Sequence, residues 1–134
     1  MQSAIKAKKN PYARGPDSLA TSITAAVKVG STRLVTVTMK DAKARPISGI
    51  TRVLLWLSDA ANGAGLCAAA PSGGIALATN GTILNPTVTG KYLDCQTDTT
   101  GVLTLNVTEA TSKTFYVCIT FPDGSMNVPF ALAF

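Results

Sequence analysis

The sequence has no histidine and few charged or aromatic residues. Charged residues make up 14% of the 134 residues and aromatic residues 6%. General acid–base catalysis near neutral pH usually employs histidine, or carboxylates held close together in a pocket, and the sequence indicates no such pair. Serine and threonine are numerous but have no base beside them, and no glycine-rich stretch precedes a helical pattern as in a phosphate-binding loop. We therefore predict that the protein is not an enzyme and name no catalytic residue.

Cysteine is also scarce. Cys67, Cys95 and Cys118 are odd in number and lack the C-x-x-C spacing of a metal site. A zinc site would need further ligands, and histidine is absent. Asp94 and Asp98 are close in sequence, but no loop offers the dense oxygen ligands that calcium requires. We therefore predict no metal and no cofactor, and expect the thiols to be small buried groups in a reducing cytoplasm.

Long apolar runs are missing as well. No stretch approaches the ~18 apolar residues of a membrane span. No apolar run follows the basic N-terminus, so we expect no signal peptide, synthesis in a cytoplasm and no membrane partner. The hydrophobic content of 46% is nevertheless enough for the core of one domain.

The chain does have period-two alternation along most of its length. Val35, Val37 and Met39 alternate with polar residues, as in a strand with one solvated face. The next strand is apolar on both faces, because Leu54 and Trp56 point away from the face that its other apolar residues share. Such a strand requires cover on both faces, from a second sheet or from another molecule. Strands are predicted at residues 22–29, 33–40, 51–58, 75–79, 82–88, 91–97, 102–109, 114–121 and 126–134.

Turn residues separate these strands at intervals of ~8–12 residues, and no helical period is present. Asn80-Gly81 predicts a hairpin between residues 75–79 and 82–88, because both residues tolerate positive φ. Pro86 places the second of these strands at a sheet edge or a bulge. The fold class predicted is all-β, an immunoglobulin-like antiparallel β-sandwich over residues 19–134 with an extended basic N-terminal arm over residues 1–18.

Positive charge is concentrated in the first part of the chain. Residues 1–52 contain ten of the twelve lysine and arginine residues but two of the seven acidic ones. Pro11, Gly15 and Pro16 break any helix in the arm, which is either a solvated tail or a segment that orders on an acidic partner. Nucleic acid is not predicted, because one aromatic residue among four charges offers little base stacking. The residues predicted to contact a partner are Ile5, Lys6, Lys8, Lys9, Tyr12 and Arg14 in the arm, and Lys40, Lys43 and Arg45 at a strand edge.

Two segments carry a resemblance to a known family. Asp41-Ala-Lys-Ala-Arg-Pro-Ile-Ser-Gly49 and Thr97-Asp-Thr-Thr-Gly101 with the strand after it resemble turn signatures of bacterial immunoglobulin-like domains of the invasin/intimin type. Ala44 stands where those domains usually have glycine. A basic arm with one such domain is more similar to small immunoglobulin-like proteins of tailed-bacteriophage virions, in particular capsid decoration (cement) and head fibre proteins. The stretches 56–59 and 121–124 also look like that group.

This resemblance implies a structural virion protein, made in the bacterial host and located on the outer capsid surface, where it stabilises capsomer contacts. The implied partner is the major capsid protein. A homo-oligomer, with a trimer favoured by the resemblance, would use Leu54 and Trp56 as its extra buried face. The competing interpretation is a receptor- or glycan-binding module of a tail fibre or adhesin, with its site in loops 59–65 and 71–74. Trp56, Tyr92 and Tyr116 are expected to be core residues rather than a sugar platform.

Overall fold

The computed structural model describes residues 19–41, 43–122 and 124–134. The six arm residues predicted to contact a partner therefore lie outside the described residues, and their role remains a prediction.

The described part of the chain contains nine strands joined by turns and loops. Among the same residues, no helix is long and apolar enough to span a membrane. The strands are β1 (Leu19–Ala25), β2 (Thr32–Asp41), β3 (Arg52–Ser58), β4 (Gly74–Leu77), β5 (Thr82–Val88), β6 (Tyr92–Gln96), β7 (Val102–Thr108), β8 (Thr114–Thr120) and β9 (Phe130–Ala133).

The strands form two antiparallel sheets, in the orders β1-β2-β7-β4 and β5-β6-β3-β8-β9. The first order is that of the A-B-E-D sheet of an immunoglobulin domain, and β3-β8-β9 corresponds to its C-F-G sheet. The β5-β6 hairpin extends the second sheet beside β3. The predicted all-β antiparallel sandwich is confirmed.

The core lies between the two sheets and is built by the alternation seen in the sequence. Val35, Val37 and Met39 on β2 face the interior, as do Leu103 and Leu105 on β7, and none of the five is more than 1% exposed. The opposite sheet contributes Val53, Leu55, Leu57, Phe115, Val117 and Ile119. Each of these large side chains contributes roughly 1.5–3 kcal/mol when it is fully buried. The inward-facing residues of β2, β3, β7 and β8 were therefore correctly predicted.

The first predicted strand extends too far at its C-terminal end, and the last predicted strand extends too far at its N-terminal end. β1 ends at Ala25, and Val27 and Val29 beyond it are exposed, because the chain turns at Gly30 with only an isolated Val29–Thr32 bridge. Arg33 occupies this end and donates hydrogen bonds to the carbonyl oxygens of residues 25, 26 and 133, which ties the two sheets together. β9 similarly begins at residue 130, and residues 126–129 lie outside it.

The hairpin predicted at Asn80-Gly81 is wrong. β4 pairs with β7 in one sheet, whereas β5 pairs with β6 in the other, so this dipeptide carries the chain across the sandwich. Thr104 on β7 holds the crossing, because its hydroxyl accepts hydrogen bonds from the amides of Thr79 and Asn80 at 2.9 and 2.8 Å. The prediction for Pro86 is confirmed, since β5 is a sheet edge with register shifts on both sides of Asn85.

Candidate functional site

Four cations lie at the end of the sandwich where β1 begins. Lys40 is opposite Ala20 in the β1–β2 ladder, Lys43 and Arg45 follow in the loop after β2, and Arg52 opens β3. We call this group, Lys40, Lys43, Arg45 and Arg52, the basic end. Residues 1–18 join the sandwich here, because Leu19 pairs with Asp41. The structure therefore brings the three predicted strand-edge cations together beside the point at which the basic arm is attached.

Two of these cations are paired. The Arg45 Nε atom lies 2.7 Å from a carboxylate oxygen of Asp41, and Arg52 forms an ion pair with Asp94 across the β3–β6 ladder. Lys40 and Lys43 have no ion-pair partner within the described ranges. These two lysines therefore carry the uncompensated positive charge of the basic end.

The loop after β2 is held by Asp41. Its Oδ1 atom accepts hydrogen bonds from the amides of Lys43 and Arg45 at 2.9 and 3.0 Å. Burial alone would raise the pKa of Asp41, but the hydrogen bonds from Arg45 and Lys43 outweigh it and the pKa is lowered. Ala44, inside this loop, has a φ of 62°, a left-handed conformation that glycine adopts at less cost. The turn therefore fixes the backbone from which the Lys43 and Arg45 side chains extend.

A second turn, residues 97–101, locks that loop in place. The Gly49 amide donates to the Thr99 carbonyl oxygen at 2.7 Å, and the Thr51 amide donates to the hydroxyl of Thr97, which is buried. Asp98 accepts hydrogen bonds from the Thr100 hydroxyl and from the side chain of Asn80, which lower its pKa to about 2. The two segments that carry the family resemblance, residues 41–49 and 97–101, therefore stabilise the fold. They join the loop after β2 to the turn before β7.

The outer face of the five-stranded sheet carries the second candidate surface. Leu54 and Trp56 point outward from β3 and are half-buried. Trp56 stacks on Tyr92 of β6, with ring centroids 6.1 Å apart and an interplanar angle of 15°. The expectation that these aromatic residues belong to the core is wrong for this pair. Their contact depends on β3 and β6 being neighbours, which no local pattern reveals.

The chain itself covers part of this outer face. Cys118 lies opposite Trp56 on β8 and is completely buried, although it points away from the core. A Cβ atom on Gly63 would lie 2.9 Å from the Cys118 sulfur, so the loop after β3 rests directly on it. The buried hydroxyl of Ser58 accepts a hydrogen bond from Ala60 in the same loop. The double-faced apolar strand thus receives some of its outer cover from within the chain, and the surface around Leu54 and Trp56 is what remains.

The loops named for a receptor or glycan site are used internally. Asn62 accepts a hydrogen bond from the Ala64 amide, and Asp59 accepts one from the Ala68 amide and pairs with Lys113 at 3.5 Å. In the other loop, Ser72 exchanges hydrogen bonds with residues 109 and 110. These contacts hold both loops in place, and they give the glycan interpretation no additional support.

The thiols are buried in separate places. Burial raises the pKa of all three, and for Cys95 burial and then the charge of Asp94 raise it to about 12. These cysteines are therefore protonated at neutral pH, as expected of small buried residues. Within the residues that the structure describes, no three His, Cys, Asp or Glu side chains are grouped so that they could hold a metal ion.

No protein-family model matches the chain, and no curated protein matches it either.

Proposed function

We propose that the chain is a structural virion protein of a tailed bacteriophage, which binds the outer capsid surface as a decoration or cement protein and stabilises the contacts between capsomers. The observation that carries this proposal is the basic end. Lys40, Lys43, Arg45 and Arg52 lie at the end of the sandwich where β1 begins, and the sequence that precedes β1 contains four further cations. Two resemblances support the same assignment: that of the two turn motifs to bacterial immunoglobulin-like domains, and that of a basic arm with one such domain to small phage virion proteins.

The mechanism is adhesion. Complementary charge steers the protein to an acidic surface and fixes its orientation, whereas buried apolar area supplies most of the affinity. A standard interface buries ~1,600 Å², and several copies around a symmetry axis multiply the strength of attachment. Capsomers bridged in this way separate only when the contacts of the decorating protein also break.

Co-sedimentation tests the proposal. The purified protein is mixed with empty shells assembled from the major capsid protein of the same genome, and the bound fraction is measured against salt concentration. We expect binding that weakens as salt rises, because exposed charges are screened. Binding to host-cell glycans in the absence of any binding to shells would replace the proposal with the adhesin interpretation.

A matched pair of charge variants locates the interface. Lys40→Gln with Lys43→Gln removes the uncompensated charge of the basic end, whereas Lys28→Gln with Lys91→Gln removes the same charge from the opposite end. Exposed charge pairs are worth about 0.2–1 kcal/mol each, so the first variant should weaken binding by up to roughly 30-fold. The second should bind almost as well as the unaltered protein. Equal losses in the two variants would mean that net charge, and not the basic end, governs binding.

A further inference from the structure

Two Asn-Gly pairs occur in the chain, and the structure places them in different surroundings. Asn62-Gly63 lies in the loop after β3, and Asn80-Gly81 lies at the crossing between the two sheets. Asparagine loses its side-chain amide most easily before glycine, because glycine has no side chain to hinder attack by its backbone nitrogen. The two pairs differ in whether the fold allows that attack.

Asn80 is held at three of its polar groups. Its backbone amide donates to the Thr104 hydroxyl at 2.8 Å, and its carbonyl oxygen accepts a hydrogen bond from the Thr104 amide at 3.0 Å. Its side-chain nitrogen donates to the Asp98 carboxylate at 2.7 Å. A Cβ atom on Gly81 would lie 2.6 Å from the Gln96 carbonyl oxygen, so the backbone of the glycine is also closely packed. A reaction between Asn80 and Gly81 would therefore have to break the joint between β7 and the crossing.

Asn62 is exposed, and the hydrogen bonds of this pair link it to close neighbours in the loop. The Gly63 amide donates to the Ala60 carbonyl oxygen at 2.9 Å, and the Ala64 amide donates to the Asn62 Oδ1 atom at 3.0 Å. Both bonds join residues two or three positions apart. They can therefore open without the loss of any pairing between strands.

We propose that Asn62 is a deamidation site of the folded protein, whereas Asn80 is protected. The backbone nitrogen of Gly63 attacks the side-chain carbonyl carbon of Asn62, and a bond forms between these two atoms. The bond from that carbon to Nδ2 breaks, and ammonia leaves with the proton of the Gly63 amide. Water then opens the resulting succinimide ring at either of its carbonyl carbons, which gives aspartate or isoaspartate at position 62. No oxidant or reductant is required.

Isoaspartate at position 62 removes the cover from Cys118. The main chain then runs through the former side chain and gains a methylene group immediately before Gly63. The glycine has no room for this change, because a Cβ atom there would already lie 2.9 Å from the Cys118 sulfur and 3.3 Å from the Pro129 ring. The loop must therefore lift from the outer face. Cys118, which lies opposite Trp56, becomes accessible and enlarges the apolar surface beside it.

This inference does not depend on the proposed function. The loop follows Ser58 at the end of β3, whereas Arg52 and the basic end lie at the beginning of that strand. Deamidation of Asn62 therefore changes the outer face of the five-stranded sheet and leaves the four cations of the basic end as they are.

Peptide mapping of the full-length protein after prolonged incubation in mildly alkaline buffer tests the site. Tandem mass spectrometry follows the conversion of each asparagine to aspartate or isoaspartate. Asn62 should convert at least about tenfold faster than Asn80, because reaction at Asn80 first requires local opening of the joint with β7. In denaturant the two should convert at similar rates, since both precede glycine. Equal rates in the folded protein, faster conversion of Asn80, or an Asn62 that reacts only in denaturant would each overturn the proposal.

Thiol labelling tests the effect on the cover. Cys118 should react several-fold faster with a maleimide in the incubated protein than in fresh protein, whereas Cys95 in the core should remain unreactive in both. Asn62→Gln keeps an amide but forms the larger ring slowly, so incubation of this variant should not accelerate the labelling of Cys118. Fresh Asn62→Asp carries the new charge on an unaltered main chain and should label like the fresh parent protein.

Four results would refute the loss of cover. Unchanged labelling of Cys118 after incubation would mean that the loop stays in place, and an equal increase at Cys95 would indicate general unfolding. Acceleration in incubated Asn62→Gln would assign the effect to another position, and acceleration in fresh Asn62→Asp would assign it to charge.

Discussion

Gly101→Ala should destabilise the protein far more than the same change at Gly74, although the two glycines have the same backbone angle. Both have a φ of 79°, so alanine at either position must adopt a left-handed conformation, which costs about 1–2 kcal/mol. The surroundings differ. A Cβ atom on Gly74 would meet nothing within 4 Å, whereas one on Gly101 would lie 2.1 Å from the carbonyl oxygen of Ile47.

The clash falls on the joint between the two turns. To restore an ordinary contact of at least 3.4 Å, Ile47 must move away from residue 101. That movement strains the hydrogen bonds from the Ile47 amide to Met39, from the Gly49 amide to Thr99 and from the Met39 amide to Gly101. Loss of two or three such bonds, at about 1 kcal/mol each, adds to the backbone cost. We therefore expect Gly101→Ala to lower the free energy of unfolding by about 3–5 kcal/mol, and Gly74→Ala by about 1–2 kcal/mol.

Urea denaturation followed by Trp56 fluorescence measures both values on one scale. The comparison is valid if the dependence of the free energy of unfolding on urea is unchanged, which indicates the same surface exposed on unfolding. A Gly101→Ala protein that is unfolded in buffer, beside a folded Gly74→Ala protein, would agree with the argument. Equal losses at the two positions would refute the interlocking of the two turns, because only the backbone cost would then be present.

Three further predictions concern the same end of the sandwich. Ala44→Gly should stabilise the protein by about 0.5–1 kcal/mol in the same assay, because glycine relieves the left-handed strain but loses more entropy on folding; a loss of stability would contradict the strain. Asp98 has a folded-state pKa of about 2 against an ordinary 3.8. Its ionised form therefore stabilises the folded protein at neutral pH, and this stabilisation is lost as the pH falls from 3.8 to about 2. Asp98→Asn should therefore be less stable than the unaltered protein at pH 7 and show a weaker acid dependence, and parallel pH profiles would exclude this role. Thr104→Val should cost about 1–3 kcal/mol because two amides lose their acceptor, whereas Thr104→Ser should retain most of the stability; equal losses would assign the effect to packing.

Local chemistry predicted the parts of the fold that are encoded within a few residues. Period-two alternation predicted the inward faces of β2, β3, β7 and β8, because successive side chains of a strand point to opposite sides. Proline at residue 86 indicated an edge, because it cannot donate to a ladder. The Asp41 loop was also visible as turn chemistry, although the left-handed angle at Ala44 appears only in the structure.

The candidate surfaces depended on contacts between distant residues. Lys40, Lys43 and Arg45 could be named from the sequence, but Arg52 could not. Its place in the basic end and its ion pair with Asp94 required the pairing of β3 with β6. The same pairing stacks Trp56 on Tyr92.

The amino-acid sequence by itself determined an all-β chain with a basic leading segment, because strand period, turn residues and charge are local properties. Only the tertiary structure decided that Asn80-Gly81 crosses between sheets and closes no hairpin, and that the loop after β3 covers Cys118. A two-residue turn signal is the same whether the chain returns to its neighbour or moves to the other sheet. The choice between them is made by which strands bury their apolar faces together, and that is a property of the whole chain.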